Sequence, residues 1–325
     1  MKATATAPSN LGLIKYWGKK DELLRLPING SISMNLSNLL TTTTVEFSSN
    51  LKKDDVTIDD KKIEKEVKRV SDHLDRIREK AGITEKATVV SKNNFPSGTG
   101  LSSSASGFAA LTVAASEAAG LKLSEKELSI LARQGSGSAC RSIPDGFVEW
   151  IDGETSETSY ATSIFSADYW DICDVVVVVS QEKKDVSTTE GQMSASSSPF
   201  LAVRLSRIKN KIENIKEFIK RKNFQKFGEL VEAEALELHT IMLTSTPSLI
   251  YLLPETIRIM KLVQRWRAEG LSVYFSLNTG QDVHLIIEEK NIKSLEEKLN
   301  GIESIRDIIV NKLSPGARLI KQDLF

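Results

Sequence analysis

The feature that most constrains this chain is a glycine- and serine-rich loop between a predicted strand and a long alanine-rich helix. Residues 93–107, called here the phosphate loop, read NNFPSGTGLSSSASG. Pro96, Gly98 and Gly100 interrupt regular structure, and the glycines allow positive φ and a close backbone approach. The helix predicted over 104–119 then begins among three serines. Backbone N–H groups and a helix N-terminus would meet at one point, which favours an anion site.

This loop differs from two common nucleotide-binding loops. It lacks the Gly-Lys-Ser/Thr of a Walker A sequence, and it does not match the GxGxxG fingerprint of dinucleotide-binding proteins. On spacing alone, a flexible loop followed by a serine-capped helix remains an alternative to an anion site.

Length and composition exclude several classes of protein. The 325 residues suit two domains and can bury a large core without disulfides. The 43 basic and 43 acidic residues argue against a general nucleic-acid-binding protein, although not against a local cationic pocket. Cys140 and Cys173 can form neither a disulfide framework nor a four-thiolate zinc site. Because no apolar stretch approaches the roughly 20 residues of a membrane span and no signal-peptide core is found, we expect a cytoplasmic protein without a membrane partner.

Hydrophobic periodicity predicts an α+β chain. Apolar residues spaced four and three apart predict an amphipathic helix over 62–80, with His73 on its surface. The valine run at 175–179 is apolar on both faces and predicts a buried central strand. Other predicted strands are 41–47, 86–91, 273–277 and 283–288, and other predicted helices are about 124–134, 205–219, 223–243, 254–269 and 291–299. A boundary near 185 predicts domains over 1–185 and 186–325.

Three further segments carry polar side chains suited to anions. Residues 9–19 read SNLGLIKYWGK and are followed by LPINGS, although two lysines four apart could form only a solvated face. Residues 133–142 read RQGSGSACRS. The Gly-Ser-Gly-Ser turn exposes N–H and hydroxyl donors, and Arg141 adds a forked cation suited to phosphate. Residues 183–189 read KKDVSTT.

These segments resemble one protein family. The PSGTGLSSSA segment is similar to the phosphate loop of the GHMP kinase superfamily. The KYWGK, LPIN, RQGSGSACRS and KDVS segments, in that order, resemble the diphosphomevalonate decarboxylases, although that family usually has Gly where this chain has Asp145. Beyond residue 190 the resemblance rests on the strand-turn-strand at 273–287 and, more weakly, on the helix around His239.

The resemblance implies a fold and a reaction. The fold is a two-domain GHMP-kinase-like architecture, with an N-terminal domain like domain 2 of ribosomal protein S5 and a ferredoxin-like C-terminal domain. The reaction uses ATP and Mg²⁺ to phosphorylate the C3 hydroxyl of 5-diphosphomevalonate, and loss of that phosphate with decarboxylation gives isopentenyl diphosphate. Such a site must bind several anionic groups, so it needs local cations and N–H donors. The resemblance leaves a homodimer open.

The resemblance also assigns roles by motif position. Lys15 would lie near the C3 oxygen, and Arg141 would lie near the substrate carboxylate, so both are candidate catalytic residues. The candidate substrate-binding residues are Tyr16, Lys19, Ser136, Ser138 and Arg141. The candidate nucleotide-binding residues are Ser91, Pro96, Gly98, Gly100, Leu101, Ser102, Ser103 and Ser104, and Ser104 is also a candidate metal ligand.

One position departs from the family. Its catalytic aspartate lies in a late motif of the form Phe-x-x-Asp-Ala-Gly-Pro-Asn-Val, whereas this chain reads FSLNTGQDV at 275–283. Without gaps, Asn278 occupies the aspartate position and Asp282 falls where the family usually has Asn. An amide cannot accept a proton as a carboxylate does. Three explanations stay open: an engineered replacement, Asp282 as the substitute carboxylate, or a kinase-like relative that stops after phosphorylation.

Two other functions also stay open. One is a phosphomevalonate decarboxylase or mevalonate 3-kinase of the same superfamily, against which Tyr16, Lys19, Ser136 and Ser138 favour the diphosphate substrate. The other is a nucleotide-binding protein whose catalysis is impaired by Asn278.

Overall fold

The structure, a computed structural model, describes residues 1–96, 98–182 and 184–325, so Ser97 of the phosphate loop and Lys183 of the last motif lie outside the described residues. The strands are β1 (Lys2–Ile14), β2 (Lys19–Asp21), β3 (Leu26–Pro27), β4 (Ser31–Ser48), β5 (Asp55–Ile58), β6 (Lys86–Asn93), β7 (Phe147–Trp150), β8 (Ala161–Phe165), β9 (Ile172–Val178), β10 (Val273–Ser276), β11 (Val283–Glu288), β12 (Asp307–Lys312) and β13 (Arg318–Ile320). The α-helices are α1 (Glu64–Ala81), α2 (Ser103–Ala118), α3 (Glu125–Gly135), α4 (Thr188–Met193), α5 (Leu201–Lys220), α6 (Phe224–Leu243), α7 (Pro254–Ala268) and α8 (Ile292–Leu299). Over the described ranges, none of these helices has the length and hydropathy of a membrane span.

The first sheet is built around two long antiparallel strands, β1 and β4. Its order is β13-β1-β4-β6-β5, and β7 pairs with β4 and with β8. The four β-branched threonines at 41–44 lie in β4, as the sequence predicts. The alanine-rich α2 packs on β1 and β4, where its small side chains allow a close approach to the sheet. The helix that follows the phosphate loop is therefore fixed to the sheet whose strand β1 leads directly into Lys15.

The second sheet is antiparallel and has the order β10-β11-β9-β12. The valine run lies in β9, where every residue is buried, so the predicted central strand is confirmed. Val175 and Val177 pack with α7 and α8, whereas Val176 and Val178 pack into a core shared with β1 and β4. Burying one valine side chain stabilises a fold by about 1.5–3 kcal/mol, so this strand holds two cores together.

The two sheets do not divide the chain at one point. β9 ends before residue 185 yet belongs to the second sheet, and β13, near the C-terminus, pairs with β1 in the first. Each sheet therefore contains segments from both sides of the predicted boundary. The division into 1–185 and 186–325 stays a prediction.

One surface prediction is wrong. The helix predicted over 62–80 is confirmed as α1, but His73 is fully buried in it. Its Nε2 lies 2.9 Å from Thr112 Oγ1, its ring meets Phe108 edge-on, and burial lowers its pKa to about 3. His73 follows Val70 by three residues and precedes Ile77 by four, so it shares the apolar face of the helix.

Candidate active site

A cavity of about 610 Å³ lies where the two sheets meet. Its walls come from the end of β1, the faces of β4 and β6, helices α1 and α2, the phosphate loop, the segment before α4, and the turn after β10. Its lining includes six cationic side chains: Lys15, Lys61, Lys65, Arg69, Arg141 and Lys184. The lining also includes four acidic side chains, Asp59, Glu66, Asp185 and Glu190, so cations exceed acids by two, which suits anionic ligands.

The cavity brings together most of the predicted site residues. Those that line it are Lys15, Tyr16, Ser91, Gly98, Gly100, Ser102, Ser103, Ser104, Ser138, Arg141 and Asn278. Within the described part of the chain, the lining does not include Lys19, Pro96, Leu101, Ser136 or Asp282.

Residues outside the lining have other environments. Leu101 is buried in the core between the sheets. The Lys19 side chain is 1% exposed and pairs with Glu22. Ser136 Oγ lies 3.4 Å from Ser104 Oγ, so Ser136 reaches the cavity only through another serine.

The phosphate loop has the backbone that its glycines imply. Gly100 has a φ of +117°, and α2 begins at Ser103 shortly after it. A Cβ built on Gly100 would lie 2.6 Å from the Cα of Gly280, so the loop packs directly on the turn after β10. Ser102 precedes the helix, and its hydroxyl accepts a hydrogen bond from Asn278 Nδ2 at 3.3 Å. No capping hydrogen bond from Ser102 to α2 is found in the described ranges, which argues against a loop that serves only as a serine cap.

Lys15 directly follows β1 and is 2% exposed. Its Nζ donates to Gly12 O at 2.5 Å, Ser276 Oγ at 2.9 Å and Leu277 O at 2.7 Å, which uses all three N–H groups of the ammonium. Burial lowers the pKa of Lys15 to about 7, although the buried Glu234 opposes the shift. The Lys15 ammonium thus joins β1 to the start of the turn after β10.

Arg141 lies in a short 3-10 helix, Gly137–Ser142, and is buried. Its Nη1 donates to Ser31 Oγ at 2.8 Å, and its Nη2 donates to Asn10 Oδ1 at 3.1 Å. Because these two partners are neutral, they orient the guanidinium fork without neutralising its charge, which suits a carboxylate or phosphate ligand.

Tyr16 lines the cavity beside the same 3-10 helix. Its ring lies 4.6 Å from that of Trp150 at an interplanar angle of 60°. A Cβ built on Gly137 would lie 2.8 Å from Tyr16 Oη, so this glycine permits the close contact. Burial raises the pKa of Tyr16, and the hydroxyl therefore stays protonated and can donate a hydrogen bond. Ser138 contributes a second hydroxyl to the lining.

Residues 277–282, called here the Asn278 turn, place Asn278 and Asp282 in different environments. Asn278 lines the cavity, where its Oδ1 accepts from Gly12 N–H at 3.3 Å and its Nδ2 donates to Ser102 Oγ at 3.3 Å. Asp282 is 3% exposed, and its Oδ1 accepts from Val179 N–H at 3.1 Å. Burial raises the pKa of the Asp282 carboxyl to about 6. These positions argue against Asp282 as the substitute carboxylate.

Sequence reasoning missed Lys184 and Arg69 in the lining. Lys184 Nζ donates to Thr279 O at 2.6 Å and to Thr188 Oγ1 at 2.7 Å, and burial lowers its pKa to about 8. The KDVS segment contained a signal for Lys184, since it places a lysine just before a cluster of hydroxyls. Arg69 offered none, because α1 carries many charged residues and most of them face solvent.

Comparison with known proteins places the chain in a family. The model of the diphosphomevalonate decarboxylase-like N-terminal domain matches residues 7–161, and that of the mevalonate 5-diphosphate decarboxylase C-terminal domain matches residues 174–314. The diphosphomevalonate decarboxylase of Candida albicans is 35% identical over 307 residues, covering 89% of this chain and 85% of that protein. The chain belongs to the diphosphomevalonate decarboxylase family. The phosphomevalonate decarboxylase of Haloferax volcanii is 33% identical over 308 residues, covering 94% of each protein.

Solved structures of diphosphomevalonate decarboxylases have the same fold. The mevalonate diphosphate decarboxylase of Staphylococcus aureus matches with a TM-score of 0.94 at 38% identity, covering 98% of each chain. The protein MDDEF, solved in complex with MVAPP, AMPPCP and magnesium, matches with a TM-score of 0.93 at 36% identity, covering 99% of each chain. The predicted α+β, GHMP-kinase-like architecture is confirmed.

Proposed function

We propose that this chain catalyses the ATP-dependent decarboxylation of 5-diphosphomevalonate to isopentenyl diphosphate, a step of the mevalonate pathway of isoprenoid biosynthesis. One observation carries the proposal: the phosphate loop, Lys15 and Arg141 line a single cavity. A triphosphate requires N–H donors, and a substrate with a carboxylate and a diphosphate requires cations. Both kinds of group lie within the volume that the two ligands would share.

Product analysis tests this function. The full chain is incubated with ATP, Mg²⁺ and 5-diphosphomevalonate, and ADP and carbon dioxide are measured separately. We expect equal amounts of both, dependent on both substrates. ADP without carbon dioxide would identify a 3-kinase, and ATP binding with neither product would identify a nucleotide-binding protein without this activity.

The part of the cavity formed by the phosphate loop and the N-terminus of α2 fits ATP and Mg²⁺. The backbone around Gly100 and the N-terminus of α2 present N–H groups to phosphate, as Ser103 and Ser104 present hydroxyls. Ser91 and the apolar Val89 on β6 line the same cavity and could contact the base. When bound, Mg²⁺ neutralises charge on phosphate oxygens, and Ser104 is the side chain that could hold it.

The part of the cavity around Arg141, Tyr16 and Lys15 supplies cations and hydroxyl groups for the substrate. Arg141 would bind the carboxylate through its oriented fork, and Tyr16 and Ser138 would donate hydrogen bonds to the diphosphate end. Lys15 has its three N–H groups bound to the protein, so it would favour negative charge at the C3 oxygen through its own charge. That charge weakens as the pH rises past about 7, the value to which burial lowers the pKa of Lys15.

Asn278 would face the reacting C3 hydroxyl. Its amide can orient the hydroxyl by hydrogen bonding, but it can neither accept the proton nor stabilise a developing cation with charge. Turnover by this chain should therefore be slow, with binding of both ligands preserved.

A monophosphate substrate is the second candidate. It is favoured by Lys19, which pairs with Glu22 outside the cavity lining and so leaves one cation fewer for a diphosphate. The Haloferax volcanii relative is named for phosphomevalonate. Measuring kcat/KM for 5-phosphomevalonate and 5-diphosphomevalonate side by side decides between them, and we expect the diphosphate to have the higher value.

We also propose a cytoplasmic location and a homodimer. Supporting a dimer, Phe200 and Val203 on or beside α5 and Leu236 and Leu243 on α6 are large apolar side chains exposed to solvent. Sedimentation equilibrium of the full chain measures the oligomeric state directly.

A further inference from the structure

The Asn278 turn is held by its backbone carbonyls. Three consecutive carbonyl oxygens each accept a hydrogen bond from a different element: Leu277 O from Lys15 Nζ at 2.7 Å, Asn278 O from His239 Nε2 at 3.1 Å, and Thr279 O from Lys184 Nζ at 2.6 Å. Lys15 follows β1, His239 lies on α6, and Lys184 precedes α4. The donors therefore approach one short turn from three directions.

The side chain of Asn278 is held more loosely than this backbone. Its amide contacts to Gly12 N, Asn10 O and Ser102 Oγ measure 3.3, 3.4 and 3.3 Å, at the long end of hydrogen-bond distances. The position of the amide in the cavity consequently depends on where the backbone of residue 278 is placed. His239 is the donor bound to the carbonyl of that residue.

His239 is suited to this contact. It is 2% exposed, and burial lowers its pKa to about 4, so the imidazole is neutral at physiological pH. A neutral imidazole carries one N–H, and a carbonyl partner requires that this proton be on Nε2. Lys15 and Lys184 line the cavity and could touch ligands directly, whereas the described lining does not include His239.

We propose that His239 is a positioning residue for the reaction, which fixes the backbone of Asn278 through its Nε2–H and so sets the place of the residue 278 side chain against the reacting C3 centre. The proposal rests on the proposed function. Displacing a group by about 1 Å at a reacting centre can lower turnover by as much as about 10²-fold. Loss of the His239 donor should therefore affect kcat more than nucleotide binding, because α2, whose N-terminus would bind phosphate, is held by its packing on β1 and β4 rather than by His239.

Two substitutions of similar size separate positioning from packing. His239→Gln keeps an N–H donor on a side chain of comparable reach, and His239→Met fills the space without a donor. We expect His239→Met to lower kcat at least about tenfold with KM for ATP changed less than about threefold, and His239→Gln to restore most of kcat. His73→Met is the matched control, since it removes another buried neutral histidine that has no contact with the turn. It should lower the melting temperature and leave kcat within about threefold of the parent.

Hydrogen–deuterium exchange of the ligand-free chain gives a readout independent of activity. Peptides covering 277–282 should exchange faster in His239→Met than in the parent, His239→Gln or His73→Met. The exchange experiment gives a result even if no decarboxylation is detected. Failure of the proposed function can therefore be distinguished from failure of the role of His239. Unchanged exchange in His239→Met, or equal losses of kcat in His239→Met and His239→Gln, would overturn the role of His239.

Discussion

The phosphate loop and the Asn278 turn are both glycine-containing connections, and they touch each other at Gly100 and Gly280. The loop offers mainly backbone groups, and its glycines set the path that presents them. The turn offers one side chain, whose backbone is held by donors from three other elements. A loop that binds its ligand through backbone groups can keep that function when its side chains change. A turn that acts through one side chain can lose its function when that side chain is replaced. The departure at Asn278 therefore falls at a position where one side chain carries the chemistry.

The largest expected effect comes from restoring a carboxylate in the turn. Asn278→Asp places a proton acceptor and a negative charge at the same point in the cavity, beside Gly12 and Ser102. We expect carbon dioxide release to rise at least about 10²-fold, the low end for a positioned acid–base group. Single-turnover release of labelled carbon dioxide measures it. An unchanged rate, with ATP still bound, would show that the turn does not act through this side chain.

A smaller effect should follow from separating the loop from the turn. In Gly100→Ala the new Cβ would lie 2.6 Å from the Cα of Gly280, at a φ of +117° that alanine rarely adopts. We expect the loop to shift and KM for ATP to rise about tenfold, which corresponds to about 1.4 kcal/mol and lies within the usual range of such strain. Gly280→Ala tests the same contact from the turn, because its Cβ would meet Thr99 O.

Steady-state kinetics of both glycine variants checks the contact. Unchanged ATP kinetics in both would mean that the loop and the turn act independently. A loss of kcat in Gly280→Ala without a change in KM for ATP would confine the effect to the turn.

The same contrast explains what the sequence could predict. The phosphate loop and its helix were predictable, because glycines, serines and alanines act through local backbone preferences. The strand of valines was predictable from its continuous apolar run, and it is confirmed as β9. The pairing of β13 with β1 was not predictable, since nothing in either segment records a partner some 300 residues away.

The environment of a side chain was predictable only where a single helix, strand or loop determined it. The sequence predicts a surface position for His73, one residue before the apolar Leu74, yet the residue lies on the same face as Val70 and Ile77. The motif predicts that Lys19 binds the substrate, which stays a prediction, and nothing in the motif indicated its pairing with Glu22. The three donors to the Asn278 turn come from distant segments, so no local pattern could have grouped them.

Removing one hydroxyl from the phosphate loop should have a moderate effect. In Ser104→Ala the backbone donors remain, so KM for ATP should rise about threefold to tenfold, which corresponds to about 0.7–1.4 kcal/mol and lies within the range of one typical hydrogen bond. KM for the mevalonate substrate should change less. Ser116→Ala in the same helix is the control for stability, because Ser116 is buried away from the loop. Equal kinetics in Ser104→Ala and the parent would remove Ser104 from the nucleotide site.

The smallest effect on turnover is expected at Asp282, the carboxylate that the turn keeps out of the cavity. Asp282→Asn should change kcat less than about threefold, far below the 10²–10⁴-fold of a positioned acid–base group. Its effect should instead be on stability. Burial raises the pKa of this carboxyl to about 6 from its usual 3.8, although the hydrogen bond from the Val179 N–H opposes the shift.

The sign of that stability effect follows from proton binding. Between about pH 4 and pH 6 the folded protein binds the Asp282 proton more tightly than the unfolded chain, so the free energy of unfolding falls as the pH rises through this window. Above about pH 6 the buried charge of Asp282 destabilises the fold. The variant Asp282→Asn carries a neutral amide at this position and avoids that cost. The variant should therefore be more stable than the parent by about 1–3 kcal/mol at pH 7.5, with the difference disappearing near pH 4. Urea unfolding of both proteins at several pH values measures the difference. A gain that is constant with pH would deny that Asp282 titrates in this window, and an abolished turnover would assign the proton-accepting role to Asp282.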